Sequence, residues 1–468
     1  MNFRILSAAS PISFALCALA ACASIASAQD TRAVIEPRIP KTCSSLTARL
    51  KSANGALLPA DEISPDTARI QHAVDNCPHG SAVELRAAGP YEAFLSGPVE
   101  MRSGVTLLVD AGATLFASRN PRDYDVKPGS CGLVDNFGKG CKPLLHFLNA
   151  PDAGVMGDGV IDGRGGSALI GQNVTWWDLA EQARVGNRKQ NVPRIIVAES
   201  SNNFTLYRIT LRNSPNFHVL ISKTDGFTAW AVKIQAPRTA RNTDGIDPSS
   251  STNVSILYSY ISDGDDNVAI KAGNNGPAAH ITVAHDHFYF GHGMSIGSET
   301  NGGLSDVDVH DLTIDGADNG LRIKSDASRG GLVDKVVYQN VCMRQVKNPI
   351  LIDPFYSTAG GSEIPLFQGI LMRQIAIATP GKITLEGRDS GHVLQLTLDG
   401  VTETGVQPGD VVASNARVNI GPAPVNFTPA GPNVRIAKIK GASEPAQPPC
   451  SNRFVPFPGS NGASPLAN

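Results

Sequence analysis

The chain has 468 residues, 41% of them hydrophobic and 18% charged, with 46 Gly and 32 Pro; that Gly and Pro load demands many turns and speaks against a helix-rich architecture. A formal net charge of −2 gives no global attraction to nucleic acid or anionic membranes, so any polyanion must be met by a local basic patch. Length alone does not demand two domains, because repeating all-β folds reach this size as one unit.

The chain opens with "MNFRILSAASPISFALCALAACASIASAQD". Arg4, an Ala/Leu-rich apolar stretch and the small-x-small site Ala26-Ser27-Ala28 predict a secretory signal over 1–28 and a secreted mature chain from Gln29. A membrane anchor fits poorly, since Pro11 and several Ser interrupt an apolar run too short to span a bilayer. Leu19-Ala20-Ala21-Cys22 offers a competing lipoprotein-type site that would leave a lipidated Cys22. Downstream, "SPDTARIQHAVDNC" from Ser64 places Ile70, Val74 and Cys77 on one helical face, which predicts a helix capping the N-terminal end of the core.

Past the signal remain Cys43, Cys77, Cys131, Cys141, Cys342 and Cys450, and six thiols in an exported protein point to disulfides. Cys131 and Cys141 flank "GLVDNFGKG" as a bridged loop would, Cys43 with Cys77 would staple the N-terminal cap, and elimination leaves Cys342 with Cys450. There is no CxxC and no His/Cys cluster with zinc spacing, so no structural metal is expected.

From Phe204 onward an eight-residue pattern recurs, apolar at positions one, three, six and usually eight: "FTLYRITL", "FTAWAVKI", "VSILYSYI", "ITVAHDHF", "VDVHDLTI", "VVYQNVCM", "ILMRQIAI" and a weaker "LTLDGVTE". The units start at Phe204, Phe227, Val254, Ile281, Val307, Val336, Ile370 and Leu396. Alternation at positions one and three marks a strand, and the jump to position six marks a corner. Such units bury their apolar face only when coiled on one another. The fold predicted is all-β, a single-stranded right-handed parallel β-helix over 29–440 with a short N-terminal capping helix. A β-sandwich would put turns every 8 to 12 residues or so without returning to one register. Residues 441–468, Pro- and Gly-rich without a period, read as a tail.

Polar motifs fall between the units. Asn242-Thr243-Asp244 precedes the Val254 unit, Gly264-Asp265-Asp266 follows it, Gly291-His292-Gly293 follows the Ile281 unit and Arg322-Ile323-Lys324 the Val307 unit, each about one coil from the last. Stacked about 4.8 Å apart, the coils turn these motifs into one surface column. Period two puts Arg322 and Lys324 on one face, with Ile323 in the core, and makes Asn242 and Asp244 co-facial; Gly264 would help a bulge or turn present both Asp265 and Asp266 outward. Crowded carboxylates cannot all ionise, so one stays protonated, and an acid beside carboxylate bases can hydrolyse a glycosidic bond. Adjacent cations suit an acidic sugar. Each motif alone has a plainer reading: "DGDD" as solvated turn or Ca²⁺ ligands, His292 as a turn histidine, Arg-x-Lys as a strand face. Their common spacing favours one site. Asp247 and Asp263 are expected to be turn or structural residues.

The set "NTDGID", "GDD", "GHGMSIGSE" and "LRIKS", in this order and spacing, resembles the signature of the polygalacturonase family of glycoside hydrolases. With "GDGVIDGRGG" from Gly157 and "RNSPNFHVLIS" from Arg212, the chain looks especially like bacterial secreted endo-polygalacturonases, from about Leu95 to about Leu398. The resemblance implies a right-handed parallel β-helix that hydrolyses α-1,4-linked polygalacturonate, the backbone of pectin, with inversion. It implies Asp265 as general acid, Asp244 and Asp266 as activators of water, and His292 as support for the acid. Arg322 and Lys324 are implied to hold the substrate carboxylate, with Asn242 and Tyr356 as further contacts and Lys271 at a neighbouring subsite. No cofactor or metal is implied, no nucleic-acid or membrane partner is expected, and the protein is expected to be a monomer. Inversion needs the acid and base carboxylates about 6.5 to 9.5 Å apart. Alternatives are exo attack, a rhamnogalacturonan hydrolase, from which an intact Arg322-Ile323-Lys324 argues away, a Ca²⁺-dependent pectate lyase, and a non-catalytic carbohydrate-binding adhesin.

Overall fold

The computed structural model describes residues 29–442 and 450–459. The expected signal segment over 1–28, with its alternative site at Cys22, lies outside the described residues, as do 443–449 and 460–468 of the expected tail. The chain forms a right-handed parallel β-helix in which each full coil contributes three strands, two to a 23-stranded sheet bent at a corner and one to an 11-stranded sheet.

The eight-residue unit is strand, corner, strand. In the first repeat Phe204–Tyr207 and Thr210–Arg212 are the strands, and the corner residue Arg208 has φ 62°. Ala231, Tyr258, His285, Asp311, Asn340 and Gln374 repeat that left-handed corner at position five, and Gly400 takes it over in the last unit. Position one is in parallel register throughout, Phe204 beside Phe227 and onward through Val254, Ile281, Val307, Val336 and Ile370 to Leu396.

The core runs along the coil axis. Positions one, three, six and eight of the first two units, from Phe204 to Ile234, are fully buried, and each such side chain contributes on the order of 1.5–3 kcal/mol relative to exposure. Phe147 meets Phe204 edge-on and Phe204 stacks on Phe227, an aromatic file with centroids 4.6 and 6.0 Å apart. Position six departs from the apolar pattern in two coils, where it is Ser259 and Asp286. Both are buried, and Asp286 Oδ1 accepts from the Ser259 N–H at 2.6 Å.

The capping helix, Thr67–Asp75, buries Ile70 and Val74 against the first coil. Cys77 does not share its face: it lies beyond the helix end and is bonded to Cys43. The other bridges are Cys131–Cys141 and Cys342–Cys450. The last draws the expected tail back onto the barrel, where Phe457 is buried edge-to-face on Tyr289. A second helix, Trp176–Val185, was not expected from sequence. It begins at a reciprocal capping box of Thr175 and Asp178, and beside it Leu133–Asp135 and Lys189–Asn191 pair antiparallel.

Candidate active site

Coils enter the 11-stranded sheet through turns, and three of the four polar motifs occupy those turns. Asp244 lies between Lys233–Gln235 and Ile246–Ser249, Asp265 and Asp266 between Tyr260–Ser262 and Val268–Ile270, and His292 between His287–Phe288 and Met294–Ile296. Arg322 and Lys324 lie within the strand Asn319–Lys324, with Ile323 between them fully buried. Gly264 lets the Asp265 turn close on the coil before it, since a Cβ there would stand 2.1 Å from the Ala240 carbonyl oxygen.

All eight expected residues, Asn242, Asp244, Asp265, Asp266, His292, Arg322, Lys324 and Tyr356, line one cavity of about 200 Å³, together with Lys271 and Phe217. Asp265 Oδ1 is 3.0 Å from His292 Nδ1, and its Oδ2 accepts from Asn242 N and Nδ2 at 3.3 Å each. Asp266 turns the other way: Oδ2 accepts from Lys324 Nζ at 2.6 Å, and Oδ1 from Ser295 Oγ at 2.7 Å and from Arg322 at 3.3 Å. The Tyr356 ring covers both cations, its centroid 5.0 Å from Lys324 Nζ and 5.4 Å from the Arg322 guanidinium.

Of its two expected parts Asp247 takes the structural one, as a fully buried strand residue paired with Lys271, which also stands 3.7 Å from Asp244 and whose Nζ lies 4.4 Å from the Phe217 centroid. One sequence expectation changes. Lys324 is not on an open surface but only 4% exposed, and it neutralises Asp266. Asp263 keeps a structural part, accepting from the Asp265 N–H at 3.1 Å.

Protons distribute accordingly. Burial pushes Asp265 up, but the His292 hydrogen bond and the charges of His292, Lys324 and Lys271 outweigh it, so its net pKa is well below the usual carboxylate range. Burial pushes His292 down, and its bond to Asp265 with the charges of both aspartates reverses this, so the imidazole binds its proton more tightly than usual. The pair is held as imidazolium and carboxylate. Asp266 is likewise held low, burial being overcome chiefly by Lys324. Of the three aspartates, Asp244 has the highest proton affinity, raised by burial and by the charges of Asp247 and Asp265 beyond what Lys271 offsets. Asp244 Oδ1 is buried without a hydrogen-bond partner among the described residues, as a group would be whose partner is a water or a substrate atom.

Donor atoms of Asp265, Asp266 and His292 lie within 4.8 Å of one another, a spacing that could hold a metal ion. Lys324 and Arg322 already neutralise Asp266, so a divalent cation would have to displace them.

The cavity shares Phe217, Arg241, Asn242 and Glu299 with a neighbouring groove of about 780 Å³. Into this groove the second helix, the turn after it and the antiparallel pair bring Arg184, Arg188 and Lys189, joined by Lys139 of the Cys131–Cys141 loop and by Arg194. Sequence reading missed this patch, although "RVGNRKQNVPRI" from Arg184 carries its signal.

Among known proteins, the model of Glycosyl hydrolases family 28 matches residues 95–421. An endo-polygalacturonase of Pectobacterium parmentieri is 46% identical over 81% of this chain and 90% of its own length. A polygalacturonase of Ralstonia nicotianae is 40% identical over 92% and 94%. The solved polygalacturonase of Erwinia carotovora ssp. carotovora superposes with a TM-score of 0.76 at 42% identity, over 88% of this chain and all of that one.

Proposed function

We infer the reaction from the premise that this chain belongs to Glycosyl hydrolases family 28. It is an endo-polygalacturonase that hydrolyses the α-1,4-glycosidic bonds of polygalacturonate. The observation carrying this reading beyond family membership is one cavity that joins Asp244, Asp265 and Asp266 to Lys271, Arg322 and Lys324 and opens into a basic groove.

In our reading the galacturonate carboxylate at the cleavage site meets Lys324 and Arg322 under the Tyr356 ring, and Asn242 orients Asp265. Asp265 gives a proton to the leaving glycosidic oxygen as the C1–O bond breaks, and that proton is stored in the Asp265–His292 pair. Excluding water from the filled site favours the neutral pair over the ionic one, which moves the proton from His292 to Asp265 where it is needed. A water bound at the unpaired Asp244 Oδ1, oriented by Asp266, attacks C1 from the opposite face and inverts it. Its proton goes to Asp244, the group of higher proton affinity, so one water is consumed and no charge accumulates.

The protein is secreted and acts as a monomer in this reading, with residues 29–440 as the catalytic unit. An open groove beyond the cleavage site favours internal attack. The test is the product profile on polygalacturonate: mixed oligomers and an early viscosity drop are expected, and monomer or dimer from the start means exo attack. Unsaturated products lost with chelator would overturn hydrolysis, and binding without new reducing ends would mean an adhesin. Asp265→Asn should remove nearly all turnover with the fold intact; more than about a tenth of the activity retained would defeat the assignment, since a general acid contributes roughly 10²–10⁴-fold.

A further inference from the structure

At the bent corner of the 23-stranded sheet, a second set of titratable side chains lies apart from the turns that carry the active site. Left-handed corner residues of successive coils stack there as Tyr258, His285, Asp311 and Asn340, with His310 next to the corner. One donor atom from each of His285, His310 and Asp311 lies within 4.8 Å of the other two. We propose that His285, His310 and Asp311 form a binding site for a zinc-like divalent transition-metal ion that ties two adjacent coils together. The proposal is independent of the reaction assigned above.

Each ligand is already oriented as a metal ligand needs to be. His310 Nδ1 is 3.1 Å from Asp308 Oδ2, two residues back on the same strand; the carboxylate fixes the tautomer and leaves Nε2 free to coordinate. His285 lies flat on Tyr258, centroids 4.9 Å apart and planes 12° from parallel, while its Nδ1 faces Asp311 Oδ2 at 3.2 Å. Asp311 Oδ1 accepts from Asn340 Nδ2, one coil further on. The coil register sets these positions, so little ordering remains to be done on binding. Imidazole and carboxylate ligands sit about 2.0–2.2 Å from zinc, which asks the three donor atoms to close in by about an ångström and leaves a fourth position for water. All three side chains are about one-third exposed, so the ion has access. Two imidazoles select a transition metal over Ca²⁺ or Mg²⁺, which prefer all-oxygen shells. Arg453, in the wall of the adjoining cavity, is a cation that opposes the site, but its guanidinium donates to the Asn340 carbonyl and side-chain oxygens at 3.0 and 2.8 Å.

The full chain, stripped with chelator, would be titrated with ZnCl₂ by calorimetry and scanned for thermal unfolding. One equivalent should bind, and Tm should rise with zinc concentration and return with chelator, because an ion that binds only the folded state stabilises it by mass action. His285→Ala with His310→Ala should abolish both effects and leave polygalacturonate hydrolysis unchanged. His285→Phe keeps the stack on Tyr258 without a ligand atom, so loss of binding with an unchanged fold is expected there too. Asp308→Asn should weaken binding by roughly 10–100-fold, the usual effect of removing a group that orients a ligand. No binding, or equal binding in the double variant, overturns the proposal; in the second case the ion would be sitting elsewhere, as at Asp265, Asp266 and His292.

Discussion

In the proposed reaction, one proton shared by one pair of side chains supplies the acid half of the chemistry. His292 holds its proton more tightly than an ordinary imidazole because Asp265 sits 3.0 Å away. The proton is therefore present below the raised His292 pKa and lost as pH climbs through it, so kcat/KM should fall on an alkaline limb lying above pH 6.5, the ordinary imidazole value. On the proposed roles the acid limb belongs to Asp244, which must ionise before it can accept a proton from water and whose pKa is raised. In His292→Asn the acid proton rests on Asp265 alone, so the alkaline limb should move down by about a pH unit or more while the acid limb stays. An unmoved alkaline limb would show that His292 does not store the proton. The residues of this pair were legible, because "GDD" and "GHG" lie one coil apart. Their proton distribution was not: sequence spacing predicts that one carboxyl of the set stays protonated, and which one depends on Lys324 choosing Asp266 and Lys271 choosing Asp247, choices made by offsets of an ångström.

At the level of the coil, the apolar code at positions one and three specified register almost completely, because slipping by one residue would expose every buried side chain. The corner was less legible. Arg208, Ala231, Tyr258, His285, Asp311, Asn340 and Gln374 share a left-handed conformation without sharing a side-chain type, and pairing on both flanks holds them there rather than local preference. The second helix was missed because its capping box has Asp at the position where Glu or Gln is usual. Where the active-site turns meet, however, composition matters. Gly293 has φ 71°, and a Cβ on it would stand 2.2 Å from the Asn319 carbonyl oxygen and 2.3 Å from that of Gly320, both in the next coil. Left-handed strain alone costs an alanine about 1–2 kcal/mol, and the contact adds to it by pushing apart the coils that carry His292 and Arg322. Gly293→Ala should therefore lose more than about 2 kcal/mol in denaturant unfolding and lose activity beyond what the unfolded fraction explains. A variant of normal stability and turnover would mean that the coils tolerate the separation.

Across the whole molecule, net charge misleads. A formal charge of −2 conceals a groove where Lys139, Arg184, Arg188, Lys189, Arg194 and Arg241 converge beside the cleavage site, with Glu299 as its acid. The segments supplying Lys139, Arg184, Arg188 and Lys189, a disulfide-closed loop and a helix with its adjoining turn and strand, lie outside the repeat, which is why a reading built on the repeat passed over them. A polyanion crossing this groove gains from each free carboxylate it presents, and salt screens that gain over about 10 Å at 0.1 M. Replacing Arg184, Arg188 and Lys189 together by Ala should therefore raise KM for polygalacturonate about tenfold and leave kcat nearly unchanged, because Asp244, Asp265 and Asp266 lie outside the altered region. For a dimer or trimer too short to reach the groove, KM should hardly move. The intact protein should show the same contrast under salt, KM rising more steeply with ionic strength on the polymer than on the short substrate. Equal losses on long and short chains would place these cations at the cleavage site rather than along the groove. No loss on either would mean that the polymer takes another course across the surface.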